Sequence, residues 1–247
     1  MFCTSAFAFR CRVSFAAAGI AMLSGSAASS LVAQSPPLAE VLPEGGFPRG
    51  CVVELASPSN LGHGVSVALA ACAASQEESL RAGRDKAWCA FLDPDQTLFG
   101  PAVQERGVSL DRLLVLRPPR QLLSRVAVQV AAARIFSVIV VDVSSVPGAS
   151  SREHHRFESM ETWSKVARRL ALSLEKTPTT LFLLTRSEAH RPLSLPVAMR
   201  LELENVDRER LLVRIAKEKF GRITSPRQIA WTRPDIVSQS PPLAGAR

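Results

Sequence analysis

Residues 52–75 read VVELASPSNLGHGVSVALAACAAS and combine an apolar β-branched run, a Ser/Pro/Asn/Gly turn and an alanine-rich segment. A phosphate-binding loop has this layout with the spacing G-x-x-x-x-G-K-[ST], in which glycines let backbone N–H groups close on the phosphates. The same frame here runs from Ser57 through Asn60 to Gly62, His63 and Gly64. Only Gly62 matches a defining position, so the frame predicts at most a degenerate phosphate loop.

The missing groups carry the charge chemistry of such a loop. The lysine neutralises the β- and γ-phosphates, and the hydroxyl holds Mg²⁺. A histidine, with an ordinary pKa of about 6.5, is mostly neutral at cytosolic pH, and Gly64 has no hydroxyl. The spacing alone is equally typical of a strand-to-helix turn in a Rossmann-like fold. The helix N-terminus after Gly62 could still hold an anion weakly, so we expect no cofactor or weakly bound ATP with Mg²⁺.

Positive charge is the second feature with chemical meaning. The chain has a formal net charge of +8 and a pI near 9.9, which favours polyanionic partners. The charge is concentrated in RPPRQLLSR (117–125), REHHR (152–156), KVARR (165–169) and RERLLVRIAKEKFGR (208–222). Each cluster alone could be a solvated face, whereas together on one face they would follow a phosphate backbone. The candidate DNA-binding residues are Arg152, His154, His155, Arg156, Arg168 and Arg169.

The sequence does not favour metal binding or stacking of nucleic-acid bases. His154 and His155 have no Cys or third His near them in sequence, whereas zinc sites use three or four protein ligands, so no metal site is predicted. The chain has no Tyr, and Trp163 fits a core anchor of its helix better than a platform for bases. Any contact with DNA is therefore expected to be electrostatic.

The elements that must position these residues alternate regularly from residue 50 onward. Extended runs joined around Asn205-Val206-Asp207 predict a C-terminal β-hairpin, and RITSPRQIAW predicts a last strand. The alternation predicts βαβ units and an α/β fold, with a mostly parallel central sheet and helices on both faces. Helical segments are expected at 64–82, 101–106, 119–134 and 159–176. Continuous apolar runs predict buried parallel strands at CVVELA (51–56), AWCAFLD (87–93), LLVLRP (113–118), SVIVVDV (137–143) and TTLFLLT (179–185).

The length suits one domain with tails, because 247 residues with 47% hydrophobic content can bury a full core. We assign residues 36–235 to the core domain, 1–35 to an N-terminal extension and 236–247 to a disordered tail. The extension contains RCRVSFAAAGIAMLSGSAAS, which resembles a secretory signal or reflects a start codon chosen too far upstream. Its apolar run is too short and interrupted for a membrane span. We expect a cytoplasmic protein without membrane contact and with reduced cysteines at Cys3, Cys11, Cys51, Cys72 and Cys89.

Several motifs follow the order found in the RecA recombinase family, which includes the shorter ImuA proteins of bacterial DNA damage responses. The resemblance covers about residues 40–232 and implies a RecA-like P-loop core, with a Walker B strand at VIVVD. The resemblance rests on five segments: GGFPRG (45–50), FLDPDQ (91–96), RGVSLDRLLVLRPP (106–119), VIVVDVSSVPGA (138–149) and VRIAKEKFG (213–221).

The resemblance implies roles for individual residues. Asp95 falls where the family's acidic residue activates the attacking water, and Asp142 falls at the Mg²⁺-associated carboxylate. The segment from Val146 opens what is the first DNA-binding loop in the recombinase. Lys217 and Lys219 fall where lysines reach the nucleotide of a neighbouring subunit in the filament, which implies self-association.

Departures from the family pattern fall on the groups that do the chemistry. The phosphate loop lacks its lysine and Ser/Thr, Asp95 is shorter than the catalytic glutamate, and Arg186-Ser187-Glu188 replaces a glutamine that senses the γ-phosphate. The second DNA-binding loop is cut down to EAHRPLSLP (188–196). Because phosphoryl transfer depends on electrostatic stabilisation of the phosphates, the departures predict little or no ATP hydrolysis.

Two classes of function follow from these residues. One is an accessory protein of bacterial DNA repair, the SOS response or translesion synthesis that binds DNA, a repair polymerase or the recombinase. The other is an active DNA-dependent ATPase or recombinase of the RecA class, in which the carried-over aspartates and lysines do the chemistry. A cell-division inhibitor on the same fold is a further alternative, because that role needs only an interaction surface. His63 and Gly64 favour the accessory protein.

Overall fold

The computed structural model describes residues 31–32, 36–58, 63–145, 160–187, 195–207 and 209–231. The helices are α1 Pro36–Ala39, α2 His63–Arg81, α3 Gly100–Glu105, α4 Leu123–Ala133 and α5 Met160–Leu174. The strands are β1 Leu31–Val32, β2 Gly46–Phe47, β3 Cys51–Ser57, β4 Cys89–Leu92, β5 Leu113–Leu116, β6 Val138–Asp142, β7 Thr180–Arg186, β8 Met199–Asn205, β9 Arg210–Glu218 and β10 Arg227–Ala230.

One eight-stranded sheet organises the chain, in the order β10-β9-β8-β3-β7-β6-β4-β5. The strands from β8 to β5 pair in parallel, whereas β9 and β10 extend the sheet antiparallel to β8. β1 and β2 form a separate two-stranded ribbon. The predicted α/β fold, with a mostly parallel sheet and a C-terminal hairpin, is confirmed.

Two hydrophobic cores lie on the two faces of the sheet. In β3, Val53 and Leu55 belong to the core under α2, and Val52 belongs to the core under α4 and α5. Successive residues of a strand point to opposite faces, so a strand covered on both faces is apolar at nearly every position. This is why the continuous apolar runs of the sequence identify the central strands.

Helix boundaries differ from the prediction where prolines intervene. The segment predicted as a helix over 119–134 begins with a 3-10 turn at Arg120–Leu122, and α4 starts only at Leu123. Pro118 and Pro119 precede it, and proline both lacks an N–H and disfavours helical backbone in the residue before it. α4 ends at Ala133, and the following residue, Arg134, has a φ of 55°, the left-handed cap conformation.

The chain ends fall partly outside the described residues. β1 lies within the predicted N-terminal extension and pairs with β2, an element that the sequence did not predict. Residues 1–30 and 232–247 are outside the description, so the domain boundaries at 35 and 235 stay predictions. Among the helices of the described ranges, none has the length and apolar character to cross a bilayer.

The cysteines of the described ranges are free thiols. Cys72 and Cys89 are fully buried, and Cys51 is half-buried. Burial raises the pKa of Cys51 to about 12, which keeps this thiol protonated at neutral pH. These residues pack as small hydrophobic side chains, as expected for reduced cysteines.

Trp163 is the largest fully buried side chain and anchors α5 on the sheet. We expect Trp163→Ala to lower the free energy of unfolding by about 3–5 kcal/mol, because it removes a large apolar contact and leaves a cavity. Leu172 lies on the same helix and is 67% exposed, so Leu172→Ala serves as the control and should change stability by less than about 0.5 kcal/mol. Urea titration followed by circular dichroism measures both, and equal effects would contradict the assigned packing.

Candidate functional site

The carboxyl ends of β3, β6 and β7 meet at one edge of the sheet and form a pocket there. Parallel α/β sheets bind ligands outside the carboxyl ends of their strands. α2 starts at this edge with His63. The pocket is lined by Ser57, Pro58, Gly64, Val65, Asp142, Ser144, Leu184, Thr185 and Arg186.

His63 occupies the lysine position of the loop frame and is half-buried at the start of α2. Burial lowers the pKa of His63, a hydrogen bond with Asn205 opposes this shift, and the charge of Arg106 adds to it. The imidazole is therefore neutral at pH 7 and supplies no positive charge to a phosphate. Asn60 and Gly62, which the sequence also assigned to this loop, lie outside the described residues.

Gly64 occupies the position of the metal-holding hydroxyl and packs tightly against β3. A Cβ atom at Gly64 would lie 3.3 Å from Ser57 Oγ, 3.7 Å from Leu184 Cδ2 and 3.9 Å from Leu55 Cβ. The first turn of α2 thus approaches the strand so closely that Ser57 would have to shift to admit a side chain. A Ser or Thr at this position would therefore need the Ser57 hydroxyl to move by a few tenths of an ångström.

Asp142 brings a carboxylate into the pocket from the end of β6. Its side chain is 6% exposed, and its Oδ1 accepts a hydrogen bond from the backbone N–H of Ser144 at 2.9 Å. Burial raises the pKa of Asp142, Ser144 opposes the shift by hydrogen bonding, and the nearby charges of Asp95 and Asp93 raise the pKa further. The structure therefore brings together the two aspartates that the family resemblance singled out.

Arginines from the β5–α4 connection hold the other two carboxylates. Arg120 Nε donates to Asp95 Oδ1 at 2.7 Å, and Arg120 Nη2 reaches the same oxygen. Arg117 Nε lies 4.0 Å from Oδ2 of the buried Asp93. Sequence analysis placed these arginines only in a basic cluster, since about 25 residues of chain separate each pair. Asp95 is thereby engaged as an ion-pair partner, which opposes its role as a free base.

A second buried carboxylate lies in the central strand below the pocket. Glu54 is fully buried in β3, and its Oε1 accepts a hydrogen bond from Thr185 Oγ1 at 2.7 Å. Arg200 Nη1 lies 3.9 Å from the same oxygen. The sequence signal for this site is a glutamate within the apolar run VVELA, where a buried strand would otherwise be uncharged. Because Thr185 also lines the pocket, this buried network fixes one of its walls.

Lys217 and Lys219 lie at the end of β9, two strands away from β3. β9 runs antiparallel to β8, and Lys217 pairs with Arg200, which in turn pairs with Glu54 of β3. Lys217 Nζ donates to the carbonyl of Leu195 at 2.9 Å, and Lys219 Nζ lies 5.9 Å from the ring centroid of Phe220. The backbone of Lys217 is therefore about 10 Å from the pocket end of β3 along the strands and about 10 Å from β3 across the sheet. The ammonium group of Lys217 is engaged by Leu195, and the nucleotide contact of both lysines stays a prediction about a neighbouring subunit.

The DNA-binding candidates divide between described and undescribed residues. Arg168 and Arg169 are exposed on α5. The other candidates lie outside the described ranges, so their contact with DNA stays a prediction. They are Arg152, His154, His155 and Arg156. In the part of the chain that the structure describes, no group of three His, Cys, Asp or Glu side chains is arranged to hold a metal ion.

Comparisons with known proteins agree with this fold. Residues 40–159 match the family described as the MT3502 N-terminal domain. The chain is 31% identical over 156 residues to the protein RecA of Desulforapulum autotrophicum, a match that covers 60% of this chain and 43% of that protein. The chain thus spans less than half the length of this relative. The structure of the RadB recombinase superposes with a TM-score of 0.63 at 15% identity, over 82% of this chain and 96% of that one.

Together the sequence match and the structural match support a RecA-like family, and the expected RecA-like fold is confirmed.

The raised pKa of Asp142 predicts a stability effect with a defined pH dependence. Folding favours the protonated carboxyl of Asp142. The stabilisation that the protonated group gives the folded state is therefore lost as pH rises from the ordinary pKa of 3.8 through the raised pKa. Asp142→Asn should therefore raise the free energy of unfolding at pH 7 by roughly 0.5–2 kcal/mol, the usual gain when functional strain is relieved. Urea unfolding at pH 7 and pH 4 should show this advantage shrinking at the lower pH.

Asp207→Asn is the matched control, because Arg210 lowers the pKa of this exposed carboxyl. It should give no gain at pH 7. A loss of stability in Asp142→Asn at pH 7 would show that the ionised carboxylate is stabilised by its surroundings, contrary to this assignment.

Proposed function

We propose that this chain is an accessory protein of bacterial DNA repair, built on a RecA-like core, that acts by binding and hydrolyses little or no ATP. The observation that carries this proposal is the phosphate-loop frame: a neutral His63 and a tightly packed Gly64 stand where a working loop has its lysine and its metal-holding hydroxyl. The finer assignment is an ImuA-like role in the SOS response or translesion synthesis, in the cytoplasm, with a repair polymerase or the recombinase as partner.

Physical chemistry supports the loss of hydrolysis. Transfer of a phosphoryl group is catalysed almost entirely by positioning and by positive charge around the phosphates. The described residues of the pocket present the carboxylate of Asp142 and the guanidinium of Arg186, and they include no lysine. Asp95, the candidate base, is engaged by Arg120. A nucleotide with Mg²⁺ fits this donor set poorly, because neither the phosphate charge nor the metal has its usual protein partner.

An ATPase of the RecA class remains the second candidate function. Asp142 and Asp95 favour it, because both carboxylates are retained and the charge of Asp95 contributes to the raised pKa of Asp142. The matched RecA and RadB proteins also make an ATPase the usual expectation for this fold. The two functions differ in one measurable property, which is turnover of ATP by the unmodified chain.

Titration of the full chain with a fluorescent ATP analogue and Mg²⁺ tests the proposal. We expect no saturable binding up to millimolar ligand and no phosphate release, because the loop lacks its lysine and hydroxyl. The variant His63→Lys/Gly64→Thr should gain measurable binding, since it restores both groups, and Ser57→Gly added to it should help by making room for the new Cβ atom.

His63→Ala is the control and should bind no better than the natural chain. Tight binding with turnover by the unmodified protein would overturn the proposal and favour the ATPase.

A further inference from the structure

The outer surface of α4 and α5 carries an unusual arrangement of cations. Both helices cover the same face of the sheet and pack against each other. Their buried sides hold Leu123 and Ala127 of α4, and Trp163 and Ala167 of α5. The α4–α5 basic face is the set of exposed cations that point away from this core or follow the helix ends: Arg125, Arg134, Lys165, Arg168, Arg169 and Lys176.

These cations are not neutralised by carboxylates in the described ranges. Elsewhere in the described ranges, arginines that lie within 4.0 Å of a carboxylate oxygen include those at positions 49, 81, 112, 117, 120, 200, 210, 214 and 222. Among the described residues, no such ion pair involves a member of the α4–α5 basic face. Glu175 follows α5 next to Lys176 and is exposed, but it forms no ion pair with the face either. Within the described ranges, the α4–α5 basic face thus brings six exposed cations together without a paired carboxylate.

The spacing on α5 suits a linear anion. Lys165, Arg168 or Arg169 and Leu172 recur every three or four residues within α5, so they lie on one side of the helix about 5–6 Å apart. This row extends about 10 Å along the helix axis, and Lys176 follows the end of the helix at Leu174. One strand of DNA advances about 3.4 Å per phosphate, so the row is long enough to meet several consecutive phosphates.

The face offers charge without a platform for bases. Trp163, the aromatic residue of the described part of α5, is fully buried, and α4 contains no aromatic residue. Proteins that bind single strands stack bases on exposed aromatic rings. Lysine and arginine alone instead contact the sugar–phosphate backbone, which carries no sequence information.

We propose that the α4–α5 basic face binds the phosphate backbone of duplex DNA without reading its sequence. The inference rests on the DNA contact of the proposed function and extends it. It adds Arg125, Arg134, Lys165 and Lys176 to the two arginines that the sequence identified, and it places the contact on the helical layer.

Salt-dependent binding of a labelled 25-base-pair duplex by the full chain, followed by fluorescence anisotropy, tests this surface. Each phosphate contact contributes about −0.9 to the slope of log K against log salt. We expect Lys165→Ala/Arg168→Ala/Arg169→Ala to reduce the magnitude of the slope by about 2–3 and to weaken binding at least about tenfold at 100 mM salt. Arg125→Ala/Arg134→Ala should reduce the magnitude of the slope by about 1–2, since α4 contributes fewer cations. An unchanged slope in this variant would overturn the part of the face assigned to α4.

The matched control removes the same charge from paired positions. Arg81, Arg210 and Arg214 are exposed and each lies next to a carboxylate. The triple variant to alanine at these positions should bind within about threefold of the natural chain, because paired arginines release few counterions from DNA. Leu172→Ala, within the row but uncharged, should leave the slope unchanged.

Other outcomes separate this inference from the proposed function. Equal weakening by both triple variants would show long-range charge attraction and overturn the assigned face. Full binding by the α5 variant would also overturn it, while leaving a DNA contact at Arg152–Arg156 and the proposed function intact.

Absence of any salt-dependent binding by the natural chain would overturn both the face and the DNA contact, leaving only binding to a repair protein. Binding to vesicles containing phosphatidylglycerol in preference to the duplex would reassign the face to a membrane surface.

Discussion

The approach of α2 to the central strand β3 is the constraint on which the rest of the site depends. Gly64 lets the first turn of the helix lie against Ser57 and Leu184, with no room for a Cβ atom unless Ser57 shifts. α2 packs on one face of the sheet, so its starting point sets where the loop before it meets the carboxyl edge. Close packing favours glycine at this position, whereas metal binding would need a hydroxyl there. This chain has the glycine.

Two of the carboxylates in and around the pocket have partners among the side chains of the protein itself. Glu54 receives a hydroxyl hydrogen bond from Thr185, and Asp95 is engaged by Arg120. Asp142 is more costly to ionise, because it is buried and lies near two other carboxylates. A buried carboxylate with a raised pKa at the mouth of a pocket is typical of functional sites. The pocket thus presents the carboxylate of Asp142 together with Gly64, which stands where the phosphate-loop frame has its hydroxyl.

The distribution of surface charge separates the molecule into two regions. Over the hairpin and the α2 side, arginines pair with neighbouring carboxylates, as Arg214 does with Glu202. Such exposed pairs contribute little to stability, but they reduce the net field of that surface. On the outer side of α4 and α5 the cations are left without carboxylates in the described ranges. Composition alone could not reveal that these cations share the outer side of α4 and α5.

The sequence by itself determined the strands, their parallel pairing and the C-terminal hairpin, because burial on both faces of a sheet leaves continuous apolar runs and hairpins leave short polar turns. It also determined that the loop frame lacks its lysine and hydroxyl. Tertiary structure alone decided which distant side chains meet: Arg120 with Asp95, and Thr185 with Glu54. It also brought Lys217 to the carbonyl of Leu195, 22 residues earlier in the chain. Such contacts join residues tens of positions apart through the strand order, and local periodicity carries no information about that order.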